Sequence, residues 1–302
     1  SDAETIQLFF KKLMDIQNSL KSGQRYSPNE ISYLDYAFWL NDKSNFESSS
    51  NYWKAVFADY SESFDLPRDL IEGDLQPSKS DCKYEVKRIS IQEIKDFAQK
   101  KRITPTSLYS LALGTVLMHK SGCSDFVVGI PSAGRTLPQL ETVLGDCVNT
   151  LPFRLNFDLE ATVESQLKSI QNNLYQTLEH QIYPMEFILE DLDYEYNPGS
   201  SPLFNVLLSV PNNQKLVKRK EIEEVSLVSK YDFSFTFLEF DTALEILVEY
   251  DASKFHKETA RKCVARIEEA LVNIIKNEDE LVSGINVLSE EERPDKSEER
   301  RV

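Results

Sequence analysis

The chain has 302 residues, of which 41% are hydrophobic and 11% aromatic, so it can form one large globular domain or two smaller ones. Its formal net charge of −16 argues against binding to nucleic acid or to an anionic membrane, because contacts with phosphate groups need clustered cations. Its 4 cysteines and 3 histidines are widely scattered and form no C-x-x-C pair, which argues against a zinc site and favours a reducing cytoplasm.

The N-terminal part of the chain predicts mainly helices. Apolar residues recur at helical spacing over residues 3–21, which predicts an amphipathic helix. The aromatic-rich stretches ISYLDYAFW (31–39) and NYWKAVFADY (51–60) also predict helices. A strand is predicted over 82–91, where apolar and polar residues alternate.

Local signals delimit the next two helices. Ser90 and Glu93 have the spacing of a capping box, so a helix is predicted to start after Ser90. A second helix near 106–120 is apolar almost all round, which predicts a central place in the core. Gly122 is expected to end that helix.

The rest of the chain mixes strands with two long helices. DFVVGI (125–130) and VLGDCVNTLPFRL (143–155) are typical of buried strands, although the second carries the polar pair Asn149 and Thr150. Three later stretches also predict strands: PLFNVLLSV (202–210), DFSFTFLEF (232–240) and LEILVEY (244–250). Two sets of residues at helical spacing predict the helices: Val163, Leu167, Ile170, Leu174 and Leu178, and then Cys263, Ile267, Ala270, Leu271 and Ile274.

This order of elements indicates a fold class. Strands mix with helices and the later strands come in succession, which predicts a layered α/β sandwich with a mixed sheet rather than a regular βαβ winding. The charged tail from Ser289 lacks a core pattern and is interpreted as a linker or a fraying helix.

Composition and periodicity alone identify no catalytic site. The chain contains no G-x-S-x-G, H-E-x-x-H, Walker-type or G-x-G-x-x-G pattern. His119 lies on the apolar helix, and His256 is expected to start a helix. His180 ends one, where the helix dipole favours a cation. Without further signals, the chain would be described only as a soluble α/β protein.

Five ordered motifs provide a stronger signal. They are YLDYAFW (33–39), ITPTSLYSLALGTVLMHKSGCSDFVVGIPSAGR (103–135), VLGDCVNTLPFRL (143–155), HQIYPMEFILEDL (180–192) and SPLFNVLLSV (201–210). In this order they closely resemble the condensation domain of nonribosomal peptide synthetases, from residue 1 to about residue 290.

The resemblance implies a fold and domain limits. The family has two chloramphenicol-acetyltransferase-like lobes, each a two-layer sandwich with a mixed β-sheet and flanking helices. Its signature His-His-x-x-x-Asp-Gly ends the N-terminal lobe, and here Asp2 matches the aspartate while Ala3 replaces the glycine. Residues 1–30 are therefore expected to be a remnant of the N-terminal lobe. Residues 31–288 are expected to form the C-terminal lobe, and residues 289–302 a charged linker toward an adenylation domain.

The resemblance also implies a reaction and partners. The family joins carrier-bound aminoacyl or peptidyl thioesters to carrier-bound amino acids through an amide bond. Donor and acceptor peptidyl carrier proteins present the substrates on 4′-phosphopantetheine, so no directly bound cofactor is expected. The missing N-terminal lobe and the adenylation domain are further expected partners. The chain alone is expected to be inactive, because the two histidines would precede Ser1. Two alternatives are a noncatalytic carrier-docking platform and a free-standing acyltransferase that uses coenzyme A.

Asn149 is the motif residue that most needs an explanation. A buried amide without a partner costs about 1–3 kcal/mol, so this side chain must bind something. The resemblance places the strand of Asn149 and Thr150 in the tunnel between the lobes, and Ser209 at the same channel or lobe interface. Asn149 then contacts a phosphopantetheine arm or ties down a neighbouring loop, and the sequence leaves both readings open.

The other motif residues have structural interpretations beside functional ones. By resemblance, Asp2 is a structural member of the signature and normally pairs with an arginine of the N-terminal lobe. Tyr33, Asp35 and Trp39 are expected to pack between the lobes. Arg135 holds the lobe geometry or a carboxylate near the active site, or it forms a salt bridge at a strand end.

Two surface features complete the expectations. In the basic cluster KLVKRK (215–220), Lys218 and Arg219 could dock an acidic carrier by charge steering, although a solvated loop is the favoured reading. In helix 3–21, four apolar residues would face water without the N-terminal lobe: Phe9, Phe10, Leu13 and Ile16. That helix is expected to pack on another copy of the chain, or on its own lobe in a position unusual for the family.

Overall fold

The chain forms two compact units, and neither is continuous in sequence. A computed structural model describes residues 3–24, 31–61, 64–69, 78–195, 202–211, 229–289 and 292–293. The first unit comprises Ser1–Tyr60, Pro131–Leu151 and Thr177–Tyr196. The second comprises Ser61–Ile130, Pro152–Gln176 and Asn197–Val302. The limits expected after residues 30 and 288 rest on the resemblance alone and stay predictions.

The elements follow the predicted order. Within the described residues the helices are α1 (Ala3–Lys21), α2 (Tyr33–Asn41), α3 (Glu47–Phe57), α4 (Ile91–Lys101), α5 (Pro105–Ser121), α6 (Val163–Glu179), α7 (Met185–Asp191) and α8 (Lys257–Lys276). The strands are β1 (Lys79–Val86), β2 (Asp125–Ser132), β3 (Asn149–Asn156), β4 (Val206–Ser209), β5 (Phe233–Glu239) and β6 (Leu244–Asp251). Every helix predicted from the sequence is confirmed within a few residues at its ends.

The strands form one mixed sheet in the order β1-β6-β5-β4-β2-β3. The pairs β1–β6 and β6–β5 are antiparallel, whereas β5–β4 and β4–β2 are parallel. In β5, alternate residues point to opposite faces of the sheet, and Phe233, Phe235 and Phe237 are all buried. Tyr109 of α5 stacks on Phe237 with the ring centroids 4.5 Å apart, so these phenylalanines face the helices. The predicted α/β sandwich with a mixed sheet is confirmed.

Helix α5 lies in the core of the second unit. Every residue over 107–118 is buried, as its apolar character all round predicts. Gly122 ends the helix in the left-handed conformation, with φ 76°. The capping box of α4 is also confirmed, because the side chains of Ser90 and Glu93 each accept a hydrogen bond from the other residue's backbone amide.

The predicted strand over 143–155 is wrong in its first half. Strand β3 begins only at Asn149, and the residues before it form a loop. In a strand, the carbonyl groups would accept hydrogen bonds from a neighbouring strand. Here the guanidinium of Arg135 donates to the carbonyl oxygens of Val143 and Gly145 instead. Hydrogen bonds from an arginine outside the predicted strand thus take the place of the strand pairing that the local pattern predicts.

The predicted strand over 202–210 is too long at both ends, since β4 covers only Val206–Ser209. Leu203 has φ 64°, in the left-handed region that no regular strand contains. The ring of Phe204 fills the space that a Cβ at Gly129 would occupy. The turn before β4 thus places an aromatic ring against β2.

Helix α1 has two different faces. Partly buried residues recur at helical spacing along one of them: Thr5, Leu8, Lys12, Ile16 and Ser19. The exposed stripe of α1 consists of apolar residues that are each more than half exposed: Ile6, Phe9, Phe10, Leu13, Met14 and Leu20. The exposure predicted for Phe9, Phe10 and Leu13 is confirmed, whereas Ile16 lies on the partly buried face.

Candidate functional site

A small cavity in the first unit brings four of the five motifs together. Its volume is about 140 Å³. Tyr36 comes from YLDYAFW, and Gly134 comes from the Ala-Gly-Arg motif. Cys147 and Asn149 come from the GDCVNT segment, and Gln181 and Glu186 come from HQIYPME. The fifth motif belongs to the second unit. Residues that are far apart in the sequence therefore define one site.

The Ala-Gly-Arg motif forms a close backbone contact beside this cavity. Gly134 has φ 65°, in the region that favours glycine. A Cβ at this position would overlap the carbonyl oxygen of Cys147. Glycine thus lets the end of β2 touch the loop that precedes β3, and this contact closes one side of the cavity.

Helix α2 contacts the same loop through its first residue. The Tyr33 ring lies where a Cβ at Gly145 would be, and its hydroxyl donates to the carbonyl oxygen of Asp146 at 3.0 Å. Asp35 acts locally, because its carboxylate accepts hydrogen bonds from the hydroxyl and the amide of Ser32 in a capping box. Those bonds lower the pKa of the Asp35 carboxyl.

Aromatic side chains pack against one another from Tyr36, which lines the cavity, to Tyr183. Burial raises the pKa of Tyr36 to about 12, so its phenol stays neutral near neutral pH. Trp39 packs between Tyr36 and Phe46, with ring centroids 6.2 and 5.0 Å away. Phe46 in turn lies 6.0 Å from the ring of Tyr183. These motif residues contact one another within the first unit, and their packing against a second lobe stays a prediction.

The side chain of Arg135 binds backbone carbonyl groups of the loop before β3. Only 4% of its side chain is exposed. The guanidinium donates to the carbonyl oxygens of Leu140 at 2.6 Å, Val143 at 2.9 Å and Gly145 at 3.1 Å. A planar group with several donors suits this task, because a lysine ammonium could not reach three fixed acceptors with the same geometry.

The first turn of α1 joins the same network. The Thr5 hydroxyl donates to the carbonyl oxygen of Gly145 at 2.6 Å and accepts from Arg135 at 3.0 Å. The carboxylate of Glu4 lies 3.3 Å from Nε of Arg135. Arg135 thus forms an ion pair with Glu4, in line with one of its three sequence-based readings, and it also donates to three backbone oxygens.

Asn149 binds a neighbouring loop. Its side-chain nitrogen donates to the carbonyl oxygens of Gln181 at 3.0 Å and Tyr183 at 2.8 Å. Both protons of the amide are thus used, and these contacts support the loop-tying interpretation. Contact with a phosphopantetheine arm stays a prediction, as does a channel role for the partly buried Thr150 that follows.

The wall loop, residues 180–184, is also held from other elements. The Ser132 hydroxyl donates to the side-chain oxygen of Gln181. His180 stacks on Tyr52 with the ring centroids 4.2 Å apart, and its Nδ1 lies 3.0 Å from the Ser49 hydroxyl. Burial lowers the pKa of His180, which favours the neutral imidazole over the cation expected at a helix end.

Tyr183 of the wall loop is fixed through its side chain as well. Its hydroxyl donates to Oδ2 of Asp191 at 2.5 Å, and the Ser50 hydroxyl donates to the same oxygen at 2.6 Å. Lys54 lies 3.5 Å from Oδ1 of that carboxylate. Burial raises the pKa of Asp191, but the two hydrogen bonds and the lysine charges outweigh burial, so the pKa lies below its usual value.

We expect Asp191→Asn to lower the free energy of unfolding by about 1–3 kcal/mol at pH 7, since a neutral amide binds two hydroxyl donors less well. The folded-state pKa of Asp191 lies below that of the unfolded chain. The carboxylate therefore stabilises the fold above the unfolded pKa, near 3.9, and this contribution is lost as the pH falls through the folded value. Urea denaturation at several pH values should show the difference between wild type and variant shrinking below about pH 4.

A matched control separates this effect from a general loss of negative charge. Asp15 is exposed on α1, and Asp15→Asn is expected to change the free energy of unfolding by less than about 0.5 kcal/mol at pH 7. A deficit of Asp191→Asn that is equally large at pH 3 and at pH 7 would contradict the assigned role.

Of the remaining predicted residues, three lie outside the described part of the chain and one lies in the sheet. Asp2, Lys218 and Arg219 lie outside the described residues. Ser209 ends β4 and pairs in register with Thr236 of β5. Because alternate residues of a strand point to opposite faces, both hydroxyls lie on the sheet face away from the buried phenylalanines of β5.

Sequence reasoning missed several of these residues. Thr236 had a usable signal, the alternation of hydroxyl and aromatic residues in SFTF (234–237). Ser132 and Asp191 lie within two of the quoted motifs, but the sequence did not indicate their partners, and Ser50 had no signal.

Three further observations concern other kinds of site. In the part of the chain that the structure describes, no group of three or more His, Cys, Asp or Glu residues could hold a metal ion. All four cysteines are described, and they form no disulfide. No helix within the described ranges is both long and apolar enough to span a bilayer.

Comparison with known proteins gives a family match and distant relatives. A family model described as Condensation domain matches residues 1–295. Gramicidin S synthase 2 of Brevibacillus brevis is 29% identical over 97% of this chain and 7% of that protein. Malpinin synthetase of Mortierella alpina is 25% identical over 97% of this chain and 4% of that protein. The chain therefore spans less than a tenth of the length of these relatives.

Solved structures show the same fold at low identity. The X-domain from teicoplanin biosynthesis has a TM-score of 0.78 and 18% identity, over 95% of this chain and 70% of that one. The condensation domain from monacolin K polyketide synthase has a TM-score of 0.72 and 17% identity, over 93% of this chain and 68% of that one. The same X-domain has also been solved in complex with OxyB, with a TM-score of 0.77 and 18% identity, over 95% of this chain and 68% of that one.

Proposed function

The chain belongs to the condensation-domain family, and on that basis we propose that it is part of a nonribosomal peptide synthetase that joins two carrier-bound substrates through an amide bond. The match of residues 1–295 to the family model carries this proposal. The cavity of the first unit supports it, because four of the motifs meet there. The proposed partners are donor and acceptor peptidyl carrier proteins, an adenylation domain and the N-terminal lobe. The absence of disulfides supports a cytoplasmic location.

In the proposed reaction, the amine nitrogen of the acceptor amino acid attacks the carbonyl carbon of the donor thioester. A C–N bond forms and the C–S bond breaks. The amine loses one proton and the leaving thiolate gains one, so no further reactant is needed. Each carrier supplies its own 4′-phosphopantetheine arm, and the chain itself needs no bound cofactor.

Positioning of the two substrates is expected to supply much of the acceleration, up to about 7–11 kcal/mol in favourable cases. The motif residues serve this purpose by fixing the surfaces beside the cavity. Arg135 fixes the loop before β3, and Asn149 fixes the wall loop. Ser209 and Thr236 are proposed to border the channel, where hydroxyls can hydrogen-bond the amide groups of a pantetheine arm.

The test uses the complete synthetase with both carriers loaded. We expect an amide product on the acceptor carrier, detected by mass spectrometry of the intact carrier. Asn149→Ala is expected to lower kcat about 10–100-fold, because a wall that shifts by about 1 Å misaligns the reactants. The matched control is Asn173→Ala in the second unit, since the Asn173 side chain also donates to a carbonyl oxygen, that of Arg154. A loaded synthetase that forms no amide product would refute the proposed function.

Residues 1–302 are proposed to be inactive by themselves. The attacking amine must lose a proton, and histidine is the side chain that most often accepts one in catalysis. No histidine lines the cavity in the described part of the chain. Amide product formed by residues 1–302 with both loaded carriers would contradict this proposal.

Two alternative functions share the fold, and fold alone does not decide between them. One is a noncatalytic docking platform, and the fold likeness to an X-domain solved with a partner protein is compatible with it. Two adjacent histidines encoded before Ser1 would exclude this alternative. The other is a free-standing acyltransferase that uses coenzyme A, and adenylation and carrier regions encoded after Val302 would exclude it.

The exposed stripe of α1 is proposed to cause self-association of the isolated chain, because exposed apolar patches of this kind favour association. We expect a dimer or larger species in sedimentation velocity, and a monomer after Leu13→Glu. Gln7→Glu adds the same charge outside the stripe and should leave self-association intact. A wild-type chain that stays monomeric and exchanges its amides rapidly over 3–21 would contradict the proposal.

Carrier docking at Lys218 and Arg219 stays a prediction. Reversal of both charges, Lys218→Glu with Arg219→Glu, is expected to weaken carrier binding, because the docking would rest on attraction to an acidic surface. Unchanged affinity in a titration with the carrier would refute it.

A further inference from the structure

The hydroxyl of Thr5 uses its full hydrogen-bonding capacity at one point. It donates to the carbonyl oxygen of Gly145 at 2.6 Å, and it accepts from the amide of Gly145 at 3.2 Å and from the guanidinium of Arg135 at 3.0 Å. A hydroxyl has one proton to donate and two lone pairs to accept with. These three contacts therefore occupy the group completely, and they join α1 to a residue 140 positions further along the chain.

Polar contacts are the main attachment of the first turn of α1. No side chain that the structure describes over residues 4–21 is buried. Apolar burial therefore contributes little to holding this helix, and elements with few buried contacts open most easily. Besides Thr5, the first turn has the ion pair between Glu4 and Arg135. The position of α1 relative to the loop before β3 thus depends on these two side chains.

The residues that Thr5 contacts lie directly beside the cavity of the first unit. Gly145 precedes Asp146 and Cys147, and both of these residues line the cavity. The Tyr33 ring occupies the space that a Cβ at Gly145 would need, so the loop is also packed from the side of α2. A shift of Thr5 would therefore be passed to the side of the cavity that the loop forms.

From these observations we infer that Thr5 is a positioning residue for the proposed reaction, which acts by keeping α1 and the loop before β3 in one fixed arrangement. Its effect on catalysis rests on the proposed function, whereas the coupling between α1 and the loop is a property of the chain itself. Coupling of this kind is reciprocal. Loosening the loop must therefore loosen α1 as well.

The first test measures hydrogen exchange of backbone amides in the 302-residue chain by NMR. Thr5→Val keeps the shape of the side chain but removes its donor and both acceptors. We expect the amide of Gly145 and those of the first turn of α1 to exchange at least about 10-fold faster, while the amides of β5 exchange as in wild type and show that the fold is intact. Thr5→Ser keeps the hydroxyl and should stay within about 2-fold of wild type.

A second variant tests the reciprocal effect. Tyr33→Phe removes the hydroxyl that donates to the carbonyl oxygen of Asp146, on the other side of the loop. We expect the amides in the first turn of α1 to exchange at least about 3-fold faster, although this variant changes no atom of α1.

The catalytic role is tested in the complete synthetase with both carriers loaded. Thr5→Val is expected to lower kcat about 10-fold and to leave KM for each carrier within about 2-fold, because the loop is displaced beside the cavity without a change in carrier docking. Thr5→Ser should restore kcat to within about 2-fold of wild type. Thr115→Val is the matched control and should leave kcat within about 2-fold, since Thr115 also donates to a carbonyl oxygen, that of Leu111, but lies in the second unit.

Several results would overturn the inference. Unchanged exchange at Gly145 in Thr5→Val, or unchanged exchange of α1 in Tyr33→Phe, would refute the coupling. An unchanged kcat in Thr5→Val, a loss that Thr5→Ser does not restore, or an equal loss in Thr115→Val would refute the positioning role. Failure of the proposed function is distinct from these outcomes. If the loaded wild-type synthetase forms no amide product, the function and the positioning role both fall, and the exchange measurements still decide the coupling.

Discussion

Gly134→Ala is expected to lower the free energy of unfolding by about 3 kcal/mol or more. Two costs add at this position. The residue has φ 65°, which strains any side chain other than glycine, and the new Cβ would overlap the carbonyl oxygen of Cys147. A backbone atom cannot move aside as the end of a flexible side chain can. The end of β2 and the loop before β3 must therefore separate, and the cavity between them is lost.

The chain allows a specific measurement and a specific control. Its two tryptophans, Trp39 and Trp53, both lie in the first unit, so their fluorescence during urea denaturation follows the unit that contains the cavity. Gly23 has φ 70° but nothing within 4 Å of a Cβ. Gly23→Ala should thus cost only about 1–2 kcal/mol, the strain of the left-handed conformation alone. Equal effects of the two substitutions would disprove the overlap.

Arg135→Met is expected to cost about 3–5 kcal/mol, measured in the same way. Methionine keeps an apolar stem of similar length but removes every donor. The carbonyl oxygens of Leu140, Val143 and Gly145 would then lose a charged partner inside the first unit. Arg135→Lys should fall between wild type and methionine, because one ammonium restores the charge but not all of the hydrogen bonds.

Arg261→Met is the control for the loss of an arginine. Arg261 is exposed on α8, and its replacement is expected to change stability by less than about 0.5 kcal/mol. If Arg135→Met is equally mild, the loop before β3 does not depend on the guanidinium, and the explanation for its departure from strand structure is wrong.

The parts of the fold that were predictable have local causes. The capping box at Ser90 and Glu93, the end of α5 at Gly122 and the burial of α5 all follow from residues within a few positions of one another. The capping box of α2 had the same spacing, at Ser32 and Asp35, so this local role of Asp35 could also have been found from the sequence.

The parts that were not predictable depend on contacts between distant segments. VLGDCVNTLPFRL has the apolar pattern of a strand, but side chains from other segments, Arg135, Thr5 and Tyr33, bind the backbone carbonyl groups of its first half, which is a loop. The role of Asn149 depends on the wall loop, some thirty positions further along the chain. The family resemblance indicated four motifs that meet at the cavity, but it left open whether Asn149 binds a phosphopantetheine arm or a neighbouring loop.

The discontinuity of the first unit limits how synthetases of this family can be recombined. A crossover placed within residues 61–130 would take α2 and α3 from one source, and the loop before β3 together with α7 from another. Tyr33 would then pack against a Gly145 from a different synthetase, and Ser50 would have to hydrogen-bond an Asp191 from that other synthetase. Chimeric enzymes should keep these contacting segments from a single source, even though some seventy residues of the other unit separate them along the chain.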